Sequence, residues 1–302
     1  MMPNQRMSDA PAVLSHRGAR LALPLILVAA VLLLSSCSFN FEIPGLNLPP
    51  PATLSAPDVD GGWNSIDGAL SYDGRQPPYK LSPGGPSVKL VNNPAARDVT
   101  WDELMDFVRT DATDRNAYLP GSYLCGGFAL DLHNSAEAAG IRAAWVAIDF
   151  YGQEIGHAAT AFQTTDRGLV IIDDTSSYDT GGETLGDGGA TSFDKVAYIT
   201  IGAAYGVMPL EVAGSPLYNY YLLYLEQYRL FETRRDAYET EVSAYDRELA
   251  GRTKLKEPEY SYFHNWYQRL ETTKDELNAL GDSLGSFYWE SLGTVSEVKI
   301  YW

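Results

Sequence analysis

Cysteine is nearly missing from this chain: Cys37 and Cys125 are the only two in 302 residues, so at most one disulfide can form within it. Long apolar runs are missing as well. The stretch from Leu21 to Leu34 is interrupted by Pro24 and falls short of the roughly 20 residues that a comfortable transmembrane helix needs. Only 4 histidines are present, which leaves few candidates for a general base. Positive charge is scarce: 22 basic residues face 39 acidic ones, for a net charge of -17. Such a surface repels nucleic acid and anionic lipid headgroups, and its simplest effect is solubility.

What the N-terminus does contain is ordered in three parts. Arg6, Arg17 and Arg20 form a basic segment, the short apolar run comes next, and "LSSC" closes it, the layout of a cleaved leader. The closing motif resembles the bacterial lipobox. That resemblance assigns Cys37 to thioether-linked diacylglycerol as the first residue of the mature chain, with residues 1–36 removed. Two acyl chains suffice for stable attachment to a membrane where one is marginal. The expected location is therefore extracytoplasmic, on a lipoprotein anchored in the cell envelope. With Cys37 acylated, Cys125 has no partner in its own chain, and a leftover cysteine outside the cytosol points to intermolecular pairing or a reactive thiol.

Beyond Cys37, composition divides the chain. Residues 37–98 read as a Pro/Gly-rich tether, "IPGLNLPPPATLSAPDVDGG" at its start, with Trp63, Tyr72 and Tyr79 available to pack on the neighbouring domain. Residues 99–212 carry the signals of one α+β domain. Thr100 and Glu103 make a capping box for a helix whose apolar face is Leu104, Phe107 and Val108. A second helical pattern runs from Phe128 to Ala139 and stops at Gly140. Strand-like runs come next at "RAAWVAIDFY", "HAATAFQTT" and "GLVIIDDT", the last two joined by the turn "TDRG", and after a glycine-rich loop at 180–190 there is one more, "KVAYITIGAAYGV". A helix followed by antiparallel strands places the domain in the α+β class.

Residues 213–289 change period. Leu217, Tyr221, Tyr224, Tyr228, Phe231, Tyr238, Val242, Tyr245 and Leu249 recur at alternating spacings of four and three, broken only at Arg235. A second seam runs through Phe263, Trp266, Leu270, Thr273, Leu277, Leu280, Leu284 and Phe287. These are a/d heptad seams, and the short connection between them predicts a coiled-coil-like antiparallel helical hairpin. Residues 290–302 end in "SEVKIYW", a closing strand able to return to the sheet.

Cys125 stands in "YLCGGFALDLHN", immediately before the second helix, where unpaired N–H groups and the helix dipole favour a thiolate. Gly126 and Gly127 permit close approach of backbone and substrate. A thiolate enzyme also needs a base. His16 leaves with the leader, His264 lies on the distant hairpin, and His133 is eight residues along the same helix, about 12 Å away at 1.5 Å per residue. His157, opening the second strand, is the one well placed. In the hairpin closed by "TDRG", His157 falls within a few positions of Asp173 and Asp174, and register alone does not choose between them.

Together "YLCGGFALDLHNSAEAAGIRAAWVAIDF", "GHAATAF" and "GLVIIDDT" resemble the transglutaminase-like superfamily of papain-related cysteine enzymes, over roughly residues 100–176. The resemblance implies a papain-like fold, with the nucleophile-bearing helix packed on an antiparallel sheet. It assigns Cys125 as nucleophile, His157 as general base and Asp173 as orienting acid, since "DDT" matches the family's D-P-T. It implies acyl transfer from, or hydrolysis of, amide bonds in protein or peptide substrates. No cofactor or metal is called for. The Cys125 N–H supplies one oxyanion donor, and Tyr118 and Tyr123 are candidates for a second. Ala158 and Ala159 stand where the family often has tryptophan, and Asp174 replaces the proline, which leaves the substrate class open. A calcium site from Asp173, Asp174, Asp179, Glu183 and Asp187 lacks EF-hand spacing and reads instead as a solvated acidic loop. The rival to the enzyme is a non-catalytic surface module in which the same fold and the hairpin bind a protein partner.

Overall fold

The computed structural model describes residues 13–15, 62–176, 193–285 and 287–302. Residues 1–12 and 16–61, Cys37 among them, lie outside the described residues, as do residues 180–190 and, in the expected acidic loop, Asp179, Glu183 and Asp187. Among the described residues are strands β1 (Val13–Ser15) and β2 (Leu70–Tyr72), helices α1 (Trp101–Thr110) and α2 (Cys125–Ala138), and strands β3 (Ala143–Phe150), β4 (His157–Thr164) and β5 (Gly168–Asp173). Strands β6 (Lys195–Tyr198) and β7 (Gly206–Pro209), helices α3 (Tyr218–Leu249) and α4 (Glu259–Leu284), and strands β8 (Phe287–Trp289) and β9 (Val295–Tyr301) complete them. The architecture is α+β, with four α-helices and a seven-stranded sheet ordered β2-β9-β3-β4-β5-β6-β7. Only β2 runs parallel to its neighbour. β1 pairs with β8 in a separate ribbon, a pairing that removal of residues 1–36 would take from the mature chain.

The sheet is buried on both faces because its strands are apolar in both registers. On β3, Ala144, Val146, Ile148 and Phe150 enter one core with Ala159, Ala161, Leu169, Ile171 and Val207. The alternate residues Trp145 and Ala147 join Ala129, Ala158 and Tyr301 beneath α2. Helix α2 is held there by a buried hydrogen bond from Thr160 Oγ1 to the Ala129 carbonyl at 3.0 Å. At its far end the buried Glu137 carboxylate accepts from the Ala143 N–H at 2.8 Å and the Asn93 N–H at 2.7 Å. The capping box forms: Thr100 Oγ1 accepts from the Glu103 N–H, and Glu103 accepts from the Thr100 N–H at 2.9 Å.

Three boundaries differ from the sequence reading. Residues 62–98 are built into the domain rather than the tether: Tyr72 stacks on Tyr301 at 4.9 Å, Tyr79 lies 5.3 Å from Trp145, and Val88 and Leu90 are buried. The run "KVAYITIGAAYGV" is two antiparallel strands, because Gly202 turns the chain with φ at 88°. Helix α2 begins at Cys125 itself, with Leu124 extended before it and no side-chain cap.

The chain divides into two compact units, and α3 belongs to both: residues up to Leu223 go with the sheet, and Tyr224–Leu284 form the second unit. In the first, Tyr221 stacks on Tyr198 at 5.4 Å. In the second, Tyr238, Phe263, Trp266, Leu270 and Leu277 make one buried cluster. Tyr245 meets Phe263 and Trp266, Gly281 lies against Phe231, and the Tyr224 hydroxyl donates to the Leu284 carbonyl. Leu217 precedes α3, after Pro216, and Phe287 lies beyond α4, which Gly285 ends with φ at 85°, so neither seam extends as far as its spacing suggested. β9 lies between β2 and β3.

Candidate active site

Three elements deliver the three side chains singled out by the sequence. Cys125 opens α2, His157 opens β4 and Asp173 closes β5. The register pairs Thr160 with Ile172, so His157 and Asp173 lie near the same end of the hairpin and share a face, both being odd-numbered like the core residues Ala159 and Ile171. His157 Nε2 lies 3.0 Å from Asp173 Oδ2. The same imidazole and the Ala158 N–H both act on the Cys125 thiol and favour its ionised form, and with Nε2 on Asp173 the ring nitrogen left for the sulfur is Nδ1. Cys125 is a free, half-buried cysteine, and 10% of the His157 side chain remains exposed.

Electrostatics favour an ion pair. Burial pushes the Cys125 thiol up, but the His157 hydrogen bond and charge and the Ala158 N–H outweigh it, and the net shift is down. For His157, burial opposes protonation and is overcome by the Asp173 charge and hydrogen bond and by Cys125, which raise it to about 10. Burial likewise raises Asp173, yet Lys195 and His157 more than offset this and hold the carboxyl well below its ordinary range. All three shifts point the same way, toward a thiolate beside an imidazolium with a carboxylate on its far side.

Asp173 and Asp174, which register alone left open, are separated by their surroundings. Asp173 Oδ1 accepts from the Thr175 N–H at 3.0 Å and stands 3.8 Å from Lys195 Nζ, its neighbour across the β5–β6 register. Asp174 is buried with no hydrogen-bond partner on either carboxylate oxygen, and burial together with the charges of Asp194, Asp173 and Asp111 raises its pKa well above the ordinary carboxylate value. It does not meet His157.

Of the two oxyanion candidates, Tyr123 is committed elsewhere. Its hydroxyl donates to Asp131 Oδ2 at 2.6 Å and accepts from Asn116 Nδ2 at 2.9 Å. Tyr118 is half-buried, and after burial the Cys125 charge is what raises its hydroxyl, which puts it within electrostatic reach of the sulfur. At the first position of α2, the Cys125 N–H has no acceptor within its helix. The two glycines have different reasons to be there. A Cβ on Gly127 would stand 2.9 Å from the Tyr123 ring, whereas one on Gly126 would meet Leu81 and Trp145 at an ordinary 3.8 Å. Gly127→Ala is expected to lower thermal stability, and Gly126→Ala to leave it unchanged or raise it slightly, alanine favouring helix by about 1 kcal/mol; equal melting temperatures for the two variants would contradict this.

His133 is fully buried, with Nδ1 3.0 Å from Asn134 Oδ1, and burial lowers its pKa. Two side chains escaped the sequence reading. Tyr205 donates from its hydroxyl to Asp173 Oδ2 at 2.8 Å, and the buried Lys195 donates to the carbonyls of Thr175 and Phe193 at 2.8 Å each beside the same carboxylate. Neither sits in a local motif with the triad. No helix among the described residues is long and apolar enough to cross a membrane, and no group of three or more His, Cys, Asp or Glu among them is placed to hold a metal ion. Searched against protein-family models, curated proteins and solved structures, the chain matches none.

Proposed function

We propose that this chain is a lipid-anchored extracytoplasmic cysteine enzyme of transglutaminase-like type, acting by acyl transfer on amide bonds of protein or peptide substrates. One observation carries the reading: His157 Nε2 lies 3.0 Å from Asp173 Oδ2, and the same imidazole is the group that lowers the Cys125 thiol. In this reading the α+β domain has the papain-like arrangement, with the nucleophile at the start of a helix laid on an antiparallel sheet. Helices α3 and α4 form a coiled-coil-like hairpin, available to a protein partner.

The charges dictate the chemistry. The Cys125 thiolate attacks the carbonyl carbon, a C–S bond forms and the electron pair moves to oxygen, facing the Cys125 N–H. Collapse expels the amine, which takes the proton from His157 Nδ1. Water or an incoming amine then attacks the thioester and gives its proton back to His157, and the thiolate leaves. Asp173 stays ionised throughout and fixes the ring by holding Nε2–H.

The test is covalent. An activated peptide ester should load one acyl group on Cys125, detected by intact-protein mass, with none on Cys125→Ala and formation at least a hundredfold slower in His157→Ala. Absence of any adduct between pH 5 and 9, with native folding, would instead favour the binding module. The anchor is checked separately: Cys37→Ser should move the protein from the membrane to the soluble fraction, and retention on the membrane would remove Cys37 from that role.

A further inference from the structure

We propose that Tyr205 is a positioning residue for this site, locking Asp173 and the plane of His157 in one arrangement; this rests on the reading of Cys125 and His157 as a catalytic pair. Asp173 Oδ2 accepts twice, from His157 Nε2 at 3.0 Å and from the Tyr205 hydroxyl at 2.8 Å. The other oxygen is occupied by the Thr175 N–H at 3.0 Å, with Lys195 Nζ beside it at 3.8 Å. A carboxylate held only by His157 and Thr175 could rotate about its terminal torsion, which is broad and shallow. The second donor on Oδ2 removes that freedom. Tyr205 also touches the imidazole directly, edge to face, with centroids 5.4 Å apart and planes at 71°. Phe150 supports the tyrosine from another side, 5.9 Å away at 83°. Its backbone is pinned by an N–H bond to the Gly293 carbonyl at 2.8 Å.

Packing alone does not explain a hydroxyl here. Tyr205 is 2% exposed and belongs to the apolar core on that face of the sheet, where phenylalanine fills the same volume without a polar atom to satisfy. The hydroxyl finds its partner in Asp173, so its contribution is made through the orienting acid. Two strands and the approach to a third meet in this arrangement: His157 is on β4, Asp173 on β5, and Tyr205 is the residue before β7.

Tyr205→Phe removes one oxygen and keeps both ring contacts. In full-length protein labelled with 15N-histidine, the His157 Nε2–H should give a slowly exchanging, downfield proton signal, and the substitution should broaden it or speed its exchange with water. Cys125 alkylation by iodoacetamide should fall about tenfold on its pH plateau, with the acid-side midpoint displaced upward. In an Asp173→Asn background the same substitution should change the alkylation rate no further, since the two act as one unit. An unchanged imidazole signal together with an unchanged alkylation profile, or a tenfold loss that persists in the Asp173→Asn background, overturns the proposal. If wild-type Cys125 proves an ordinary thiol while Tyr205→Phe still disturbs the His157 signal, the positioning role stands and the catalytic reading is what fails.

Discussion

Replacing His157 by alanine is expected to slow alkylation of Cys125 at pH 7 by about a hundredfold and to carry its midpoint above the ordinary thiol value near 8.5. In the wild type, burial raises the thiol and is outweighed by the imidazole hydrogen bond and charge. The variant keeps the burial and the Ala158 N–H but loses both imidazole contributions. It also leaves Asp173, which disfavours the thiolate, with no imidazolium to screen it. A thiol with a pKa near 9 is only about 1% ionised at pH 7, which sets the size of the effect. Wild-type reactivity should rise on the acid side of 8.5 and hold until His157 loses its proton near pH 10. Superimposable profiles for the two proteins would sink the ion pair. Stability has its own limits. The raised pKa of His157 contributes stability that is full below its unfolded value near 6.5 and is lost as pH rises through about 10. The depressed pKa of Asp173 contributes stability present above its unfolded value and lost as pH falls toward the folded one.

The largest purely structural effect is expected at Gly168, in the "TDRG" turn. Its φ of +80° is strained for any L side chain, and a Cβ there would stand 2.4 Å from the Asn64 carbonyl oxygen and 2.6 Å from the Asn64 nitrogen. Both are backbone atoms, and both take part in bonds to this turn: the Asn64 N–H donates to the Arg167 carbonyl at 3.0 Å, and the Asn64 carbonyl accepts from the Leu169 N–H at 2.9 Å. Gly168→Ala should therefore cost about 3 kcal/mol or more, part from the left-handed backbone and part from expelling the segment that carries Asn64. Gly140 supplies the control. Its φ is +81°, and a Cβ there meets nothing within 4 Å, so Gly140→Ala should cost only the conformational part, about 1–2 kcal/mol. Urea midpoints measure both, and limited proteolysis should open residues 62–69 in the first variant alone. Equal losses would mean that the collision with Asn64 is relieved without consequence.

What could be read from sequence was whatever is local. The Thr100–Glu103 cap, the α2 pattern and the β4–β5 hairpin are set by residues a few positions apart, and the hairpin register alone brings His157 close to two aspartates. Residues 62–98 were legible only in Tyr72 and Tyr79, which were free to pack on the domain, because the composition around them is that of a linker. Their order comes from Tyr72 and Tyr79 packing on residues more than sixty positions away, Tyr301 and Trp145. The choice of Asp173 over Asp174 is likewise made by distant groups, Lys195 and Tyr205 on one side and Asp194 on the other. Tyr205 itself lies in "AAYGV", where nothing distinguishes it from a core residue. A side chain that meets its partner across several strands leaves no spacing to detect.

The place of β9 sets the timetable of folding. It pairs with β3 along one edge and β2 along the other, so residues 70–72 and 143–150 are brought into one sheet only by residues 295–301. No nascent chain that stops short of those residues can close the sheet, however much of the site it already contains. Pairings of such long range form slowly. Until they form, β2 and β3 stay apart and the sheet has no closed edge on that side.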